Sequence, residues 1–204
     1  MAFTSYTTFI AVVADYLART DLTSQIPDFV NLAQNRMSRD LRVRQMLKVA
    51  TAATTGGDST VALPSDYLEL KEIHITGNPP KNLEFQSPDL FFRNGQIANS
   101  GLPTKFTILA EEFQFSPAPD GTYTVQMLYY AKPTFISSST SSNLFLAYFQ
   151  DALLYATLGE AEPYLLNDAR TQTWSALYDR AINNIISSDL GGTYPSTSLN
   201  VTTQ

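Results

Sequence analysis

The chain has 204 residues, and its 19 acidic residues outnumber its 13 basic ones, for a net charge of −6. This acidic balance argues against a protein whose whole surface binds nucleic acid. The chain has no cysteine and one histidine, which excludes disulfides, thiol nucleophiles, iron–sulfur clusters and the common histidine-based zinc sites. Charged residues make up only 16% of the chain, and a surface of that kind suits burial against other protein.

Two helices are predicted near the N-terminus. Apolar residues recur at helical spacing over residues 5–18, but Asp15 interrupts them, so we expect neither a signal peptide nor a membrane span. A second helix is predicted over residues 26–48, with Pro27 in its first turn. Its second half carries five basic residues against one acidic residue. This basic stripe is interpreted as a solvated helix face, as a candidate interface with an acidic protein surface, or as a DNA contact. Its arginines are Arg36, Arg39, Arg42 and Arg44.

The middle of the chain changes to a period of two, which is typical of β-strands. A turn at Gly56 and Gly57 opens this region, and a polar spacer from Ser137 to Ser142 closes it. A short helical turn is predicted over residues 87–92. Strands are predicted at residues 59–63, 67–75, 104–109, 113–116 and 122–131.

Helical spacing returns over residues 144–161 and again over about 164–188, with Gly159 and Pro163 marking the joint between the two helices. Gly191 and Gly192 are expected to end the last helix. The fold class is therefore α+β, with a helical bundle built from both chain ends and an inserted antiparallel β-rich region. The predicted parts are residues 1–55 and 137–190 for the bundle, 56–136 for the insertion, and 191–204 for an extended C-terminal arm.

The C-terminal arm has no charged side chain and no helical period. Three apolar residues are spaced along it like anchors: Tyr194, Leu199 and Val201. We expect this arm to order when it lies across a partner protein or adds to the edge of a neighbour's sheet. A tail that stays disordered in every state is the alternative.

Catalytic chemistry finds little support in the sequence. No phosphate-binding loop, dinucleotide fingerprint or nucleophile elbow is present. His74 alternates with isoleucines in a strand, where a solvent-facing residue is the simpler interpretation. Glu111 and Glu112 are adjacent in a hairpin turn, and the acidic residues Asp66, Glu69 and Glu72 recur at a helical spacing within a predicted strand. We predict no catalytic residue, no cofactor and no metal site.

Aromatic residues of the β-rich region allow two interpretations. They could form a platform that stacks on sugar rings or on single-stranded nucleic acid. Alternating aromatic residues on neighbouring strands also form the core face of a sheet. The residues concerned are Phe113, Phe115, Tyr123, Tyr129 and Tyr130.

Several segments together resemble a known family. In chain order they are YLARTDL, IPDFVNLAQNRMSRDLR, LPSDYLELKEIHI, GLPTKFTILAEEFQFSPAPDGTYTVQMLYYAKP and LFLAYFQDALLYATLGEAEPYLLNDARTQTWSALYDRAI. In this order they resemble the head-to-tail adaptor (connector) proteins of tailed bacteriophages, related to the tail tubular protein A of short-tailed phages. The resemblance covers roughly residues 3–187. Two mild departures are Gln34, where the family often has Glu, and Phe149 to Asp151, where it often has Pro-Asp.

The resemblance implies a structural virion protein that is not an enzyme and needs no cofactor. Such proteins form a homo-oligomeric ring, commonly a dodecamer, between the portal protein and the tail nozzle or tube, and genomic DNA passes through without specific binding. A tail fibre is a further partner, and no membrane is involved. The protein is expected to be made in the host cytoplasm and to reside in the neck of the virion. The alternatives are a tail-associated cell-wall hydrolase and a carbohydrate-binding or fibre-docking module.

Overall fold

A computed structural model of the chain describes residues 3–19, 21–93, 99–165 and 168–193. The fold is an α+β mixture, as predicted. The helices in chain order are α1 (Tyr6–Leu17), α2 (Ile26–Asp40), α3 (Pro88–Arg93), α4 (Leu144–Tyr148), α5 (Gln150–Ala161) and α6 (Asp168–Thr193). The strands are β1 (Leu47–Ala53), β2 (Thr60–Ala62), β3 (Tyr67–Ile75), β4 (Lys81–Asn82), β5 (Glu84–Phe85), β6 (Lys105–Leu109), β7 (Glu112–Ser116) and β8 (Thr124–Ala131).

The chain divides into two compact units. The helical unit comprises Met1–Met46 and Pro133–Gln204, and the β unit comprises Leu47–Lys132. The junctions therefore lie at residues 46/47 and 132/133, whereas the sequence placed them at 55/56 and 136/137.

Helix α5 is the central element of the helical unit, because it contacts α1, α2, α4 and α6. Its sequence is apolar around most of the helix, and eight of its twelve residues are buried, which is the pattern of a helix surrounded by others. Helix α1 begins with a capping box, in which the Ser5 hydroxyl accepts a hydrogen bond from the Thr8 backbone N–H. Pro27 lies in the first turn of α2, as predicted.

The side chain of Gln34, which is fully buried on α2, joins the two chain segments of the helical unit. Its Oε1 accepts hydrogen bonds from the backbone N–H of Ile136 (2.8 Å) and from the side-chain amide of Asn143 (2.9 Å). Asn143 is also the N-cap of α4, since its Oδ1 accepts from the Leu146 N–H. One buried amide thus holds the returning chain against α2 and places the start of α4.

The prediction of one helix over residues 26–48 was wrong, because α2 ends at Asp40. Leu41 is extended (φ −100°, ψ 135°), and this conformation buries Leu41 and Val43, two residues apart, on the same side of the chain. The Arg42 guanidinium donates to the Ser38 carbonyl (2.8 Å) and the Leu41 carbonyl (2.7 Å), which satisfies backbone acceptors at the end of the helix. Residues from Leu47 onward then form β1, a strand that was not predicted.

The C-terminal helices also differ from the prediction. Phe149 leaves the helical conformation (φ −131°, ψ 46°) with its side chain buried, so residues 144–161 form two helices, α4 and α5. Gly159 does not mark a joint but lies inside α5, against the Trp174 side chain. The glycine pair does not end α6, which continues to Thr193. Instead, Gly192 makes room for Arg44, whose guanidinium would collide with a Cβ at that position.

The β unit contains two four-stranded sheets. The first has the strand order β1-β8-β3-β4 and the second has the order β2-β7-β6-β5. All the pairings are antiparallel except that of β5 with β6, which is parallel. The predicted strands and the short helix near residue 88 are confirmed to within two residues at each end, whereas β1 and the two-residue strands β4 and β5 were missed.

One hydrophobic cluster joins the inner faces of both sheets. Along β8 every second residue is buried, from Val125 to Ala131, as the period of two requires. Tyr67 of the first sheet lies edge-on to Phe113 of the second, with ring centroids 6.2 Å apart. Phe113, Phe115 and Tyr129 are all buried in this cluster, so for these three residues the core interpretation is confirmed over the stacking platform.

Asp66 connects three segments of the β unit. Its carboxylate accepts hydrogen bonds from Lys48 Nζ (2.6 Å) and from the Tyr129 hydroxyl (2.7 Å), and its carbonyl accepts from the Lys132 N–H. Burial opposes ionisation of this carboxyl, but the two side-chain hydrogen bonds outweigh it and hold the pKa of Asp66 below its usual value. Burial, together with the bond to Asp66, raises the pKa of Tyr129 to about 12.

The Gln34 amide yields a direct stability prediction. Gln34→Ala leaves the Ile136 N–H without its acceptor in a buried place, so the free energy of unfolding should fall by about 2–3 kcal/mol. Asn35→Ala is the matched control, because among the described residues the Asn35 side chain is bonded only to the Asn31 carbonyl one turn earlier, and it should change stability by about 0.5 kcal/mol or less. Urea denaturation followed by the fluorescence of Trp174, which lies in the same unit, measures both. Equal effects of the two substitutions would contradict this role of Gln34.

Candidate protein interface

The four arginines of the predicted basic stripe do not share one helix face. Arg36 and Arg39 lie on α2, Arg42 lies in the extended segment after it, and Arg44 begins a short 3-10 turn that ends at Met46. Each has different surroundings, so the stripe is better treated as four separate side chains.

Arg36 is held within the helical unit by three carboxylates and one aromatic ring. Its guanidinium lies 3.7 Å from Glu160 and 3.9 Å from both Asp40 and Asp179, and it stacks 4.2 Å from the centroid of the Tyr178 ring. Only 27% of its side chain is exposed. Arg36 therefore balances the acidic groups of α2, α5 and α6, and little of its charge is presented to a partner.

Tyr178 completes this cluster from α6. The ring is buried and its hydroxyl donates a 2.6 Å hydrogen bond to Asp40. Burial, and then this hydrogen bond to a carboxylate, raise the pKa of Tyr178 far above its ordinary value. The hydroxyl therefore remains a donor throughout the physiological pH range.

Arg39 has the surroundings that an interface arginine needs. It is exposed, and its guanidinium makes no ion pair with any residue that the structure describes. Leu32, seven residues earlier and hence on the same side of α2, is 51% exposed. The outer face of α2 thus combines an unpaired cation with an exposed apolar side chain.

Arg44 holds the end of α6. Its backbone N–H and its Nε both donate to Asp189 Oδ1, at 3.1 and 2.9 Å, and its Nη1 donates to the Gly192 carbonyl at 2.8 Å. A cation at the C-terminal end of a helix also interacts favourably with the helix dipole. Arg42 and Arg44 are both bound to the backbone of helix ends.

The three predicted contacts of the C-terminal arm, Tyr194, Leu199 and Val201, lie outside the described residues. Their role as anchors stays a prediction.

A second exposed surface of the helical unit escaped the sequence analysis. Tyr148, at the end of α4, is 67% exposed and borders a groove of about 310 Å³. The groove is also lined by Asp151 of α5 and Ile185 of α6. Asp151 is exposed and has no ion-pair partner among the residues described. Leu32 could have been found from its position outside the apolar stripe of α2, but the exposure of Tyr148 depends on the break at Phe149.

The carboxylates considered for catalysis do not converge. Glu111 lies in the turn between β6 and β7, Glu112 begins β7, and both are exposed. Asp66 is bonded to Lys48 and Tyr129, and the His74 imidazole lies 3.8 Å from Glu72. Within the described ranges, no group of three or more His, Asp or Glu residues could hold a metal ion. No helix in the described part of the chain is long and apolar enough to cross a membrane.

Comparison with known proteins identifies a family. The family model described as SU10 adaptor protein matches residues 4–201, nearly the whole chain. No curated protein matches.

Because Arg36 is bound within the helical unit and Arg39 has no described partner, the same substitution at the two positions should affect stability differently. Arg36→Met keeps the alkyl stem but leaves Asp40, Glu160 and Asp179 without their cation, and it should lower the free energy of unfolding by about 1–2 kcal/mol. Arg39→Met should change it by about 0.5 kcal/mol or less, because no described group depends on that charge. Urea denaturation of both variants provides the comparison. A larger loss of unfolding free energy for Arg39→Met than for Arg36→Met would contradict the assignment of a structural role to Arg36 and of a partner contact to Arg39.

Proposed function

The chain belongs to the SU10 adaptor protein family, a family of phage head-to-tail adaptors, and on this premise we propose that it forms a ring between the portal and the tail of a phage virion. The observation that carries the proposal is the family match over residues 4–201. The ring is a dodecamer, with the portal on one side, the tail nozzle or tube on the other, and a tail fibre as a further partner. It acts in the neck of the virion as a structural component and not as an enzyme.

A ring of identical copies needs two different surfaces on each copy, because each neighbour contacts the next head to tail. The helical unit offers two surfaces with complementary properties. The outer face of α2 presents Leu32 and Arg39, and the groove beside Tyr148 presents Asp151. Each surface pairs an exposed apolar side chain with a charge that has no described partner, and the two charges are opposite.

We therefore assign the contact between neighbouring copies to these two surfaces. The apolar side chains supply buried area, while Arg39 of one copy pairs with Asp151 of the next and fixes the register. Arg36, Arg42 and Arg44 support this contact indirectly, by holding α2 and α6 in place.

Passage of DNA through the ring suits the acidic balance of the chain. A net charge of −6 per copy repels the phosphate backbone, so DNA can move through the ring without being retained.

A charge-swap series tests the contact. Arg39→Glu should weaken assembly of the ring on portal particles by about tenfold, and more at low salt, because two like charges then face each other. Asp151→Arg should do the same, and the double variant should recover most of the affinity. Arg93→Glu, which makes the same charge change on the β unit, where the Arg93 side chain is 74% exposed, is the control. Sedimentation with portal particles at several salt concentrations is the measurement. If Arg39→Glu leaves assembly unchanged at every salt concentration, Arg39 lies on a solvated helix face and does not take part in the contact.

A further inference from the structure

Strand β1 is an edge strand whose outer side has open hydrogen-bonding groups. It lies at one end of its sheet and pairs with β8 in an unbroken register, from Leu47 opposite Tyr130 to Ala53 opposite Thr124. Just beyond it, the Thr54 N–H donates to the Tyr123 carbonyl (2.9 Å). Backbone groups alternate along an antiparallel strand, so the N–H and C=O groups of residues 47, 49, 51 and 53 point away from β8. No strand within the described ranges pairs with that side.

The outer edge of β1 lacks the features that usually protect an edge strand. Residues 49–53 contain no charge, no proline and no glycine, and Val49 is 54% exposed. Lys48, which could discourage pairing, is turned to Asp66. By contrast, β3 pairs with β8 on one side and only at His74 and Ile75 with the short β4 on the other, and it carries charges at Glu69, Lys71 and Glu72. Since an open, regular and uncharged edge invites pairing with another chain, we expect β1 to be covered in the assembled state.

The sequence supplies a segment with matching properties. Over residues 197–203, Thr197, Leu199, Val201 and Thr203 alternate with Ser198, Asn200 and Thr202, which is the period of a strand with one apolar face. The segment has seven residues, as β1 has, and it has no charge. It follows α6, whose last turn is bound by Arg44, and the family match extends through Val201.

We propose that residues 197–203 of one copy add as a strand to the outer edge of β1 in a neighbouring copy. The inference rests on the proposed ring. Donor and acceptor are different surfaces of the chain, so the pairing repeats from copy to copy and closes with the ring. Leu199 and Val201 then cover the half-buried side chains of Ala50 and Ala52 on the core side of β1. Because neither strand contributes charge along the paired length, this contact should be insensitive to salt, unlike that of Arg39 with Asp151.

Cross-linking of the full-length chain tests the pairing, because the native sequence has no cysteine. Asn200→Cys lies at the centre of the arm segment and Thr51→Cys lies next to the centre of β1, so they lie close in either strand direction. Copies carrying Thr51→Cys are mixed with tagged copies carrying Asn200→Cys, assembled on portal particles and oxidised. We expect a disulfide between the two kinds of copy. Lys71→Cys, on β3 between β8 and β4 of the same sheet, replaces Thr51→Cys in the control and should give at least about tenfold less product, because β3 is not the acceptor strand.

Paired substitutions in the arm separate its two faces. Leu199→Asp with Val201→Asp should reduce the cross-linked product by about tenfold or more, since it places charges on the buried face. Ser198→Asp with Thr202→Asp adds the same charge to the other face and should reduce it far less. Rings that assemble without the disulfide, or with Lys71→Cys linking equally well, would overturn this inference and leave the proposed function standing. A chain that forms no ring and binds no portal would overturn both.

Discussion

The helical unit depends on one buried amide. Gln34 lies on α2, and its partners, Ile136 and Asn143, are more than a hundred positions later in the sequence. A buried N–H or amide without an acceptor costs on the order of 1–3 kcal/mol, so the returning chain has one favourable position against α2. From that position Asn143 starts α4, the buried Phe149 interrupts the helix, and α5 continues into the centre of the unit. The break at Phe149 leaves Tyr148 exposed beside Asp151, and the proposed contact between copies uses that surface.

The four arginines of the predicted basic stripe have different partners. Of the four arginines in residues 36–44, three are bound inside the helical unit: Arg36 by carboxylates, and Arg42 and Arg44 by backbone carbonyls at helix ends. Arg39 is left with no described partner, and it lies on the side of α2 that also exposes Leu32. A chain with few charges has mainly apolar and neutral polar groups left for its partners. Such a surface is appropriate to a component that is permanently assembled in a virion.

The sequence predicted those features that depend on local periodicity. Helix α1 and the strands β2, β3, β6, β7 and β8 have a clear period, and the function was inferred from the family resemblance. The end of α2 could not be predicted, because Leu41 continues the helical spacing from Met37 and also begins the extended alternation with Val43. The sequence of β1 has little of the local alternation that indicates a strand. It forms a strand because it pairs with β8, about 70 residues later. The environment of Arg36 likewise depends on Glu160 and Asp179, which no local pattern connects to it.

In the proposed assembly, copies of this chain join the portal to the tail as a ring. Electron cryomicroscopy of the purified chain mixed with the portal of the same phage tests it most directly, because the images show both the stoichiometry and the surfaces in contact. We expect a coaxial dodecameric ring on the portal, with the outer face of α2 of each copy against the Tyr148 groove of the next. Bare portals beside free, unassembled chains would contradict it.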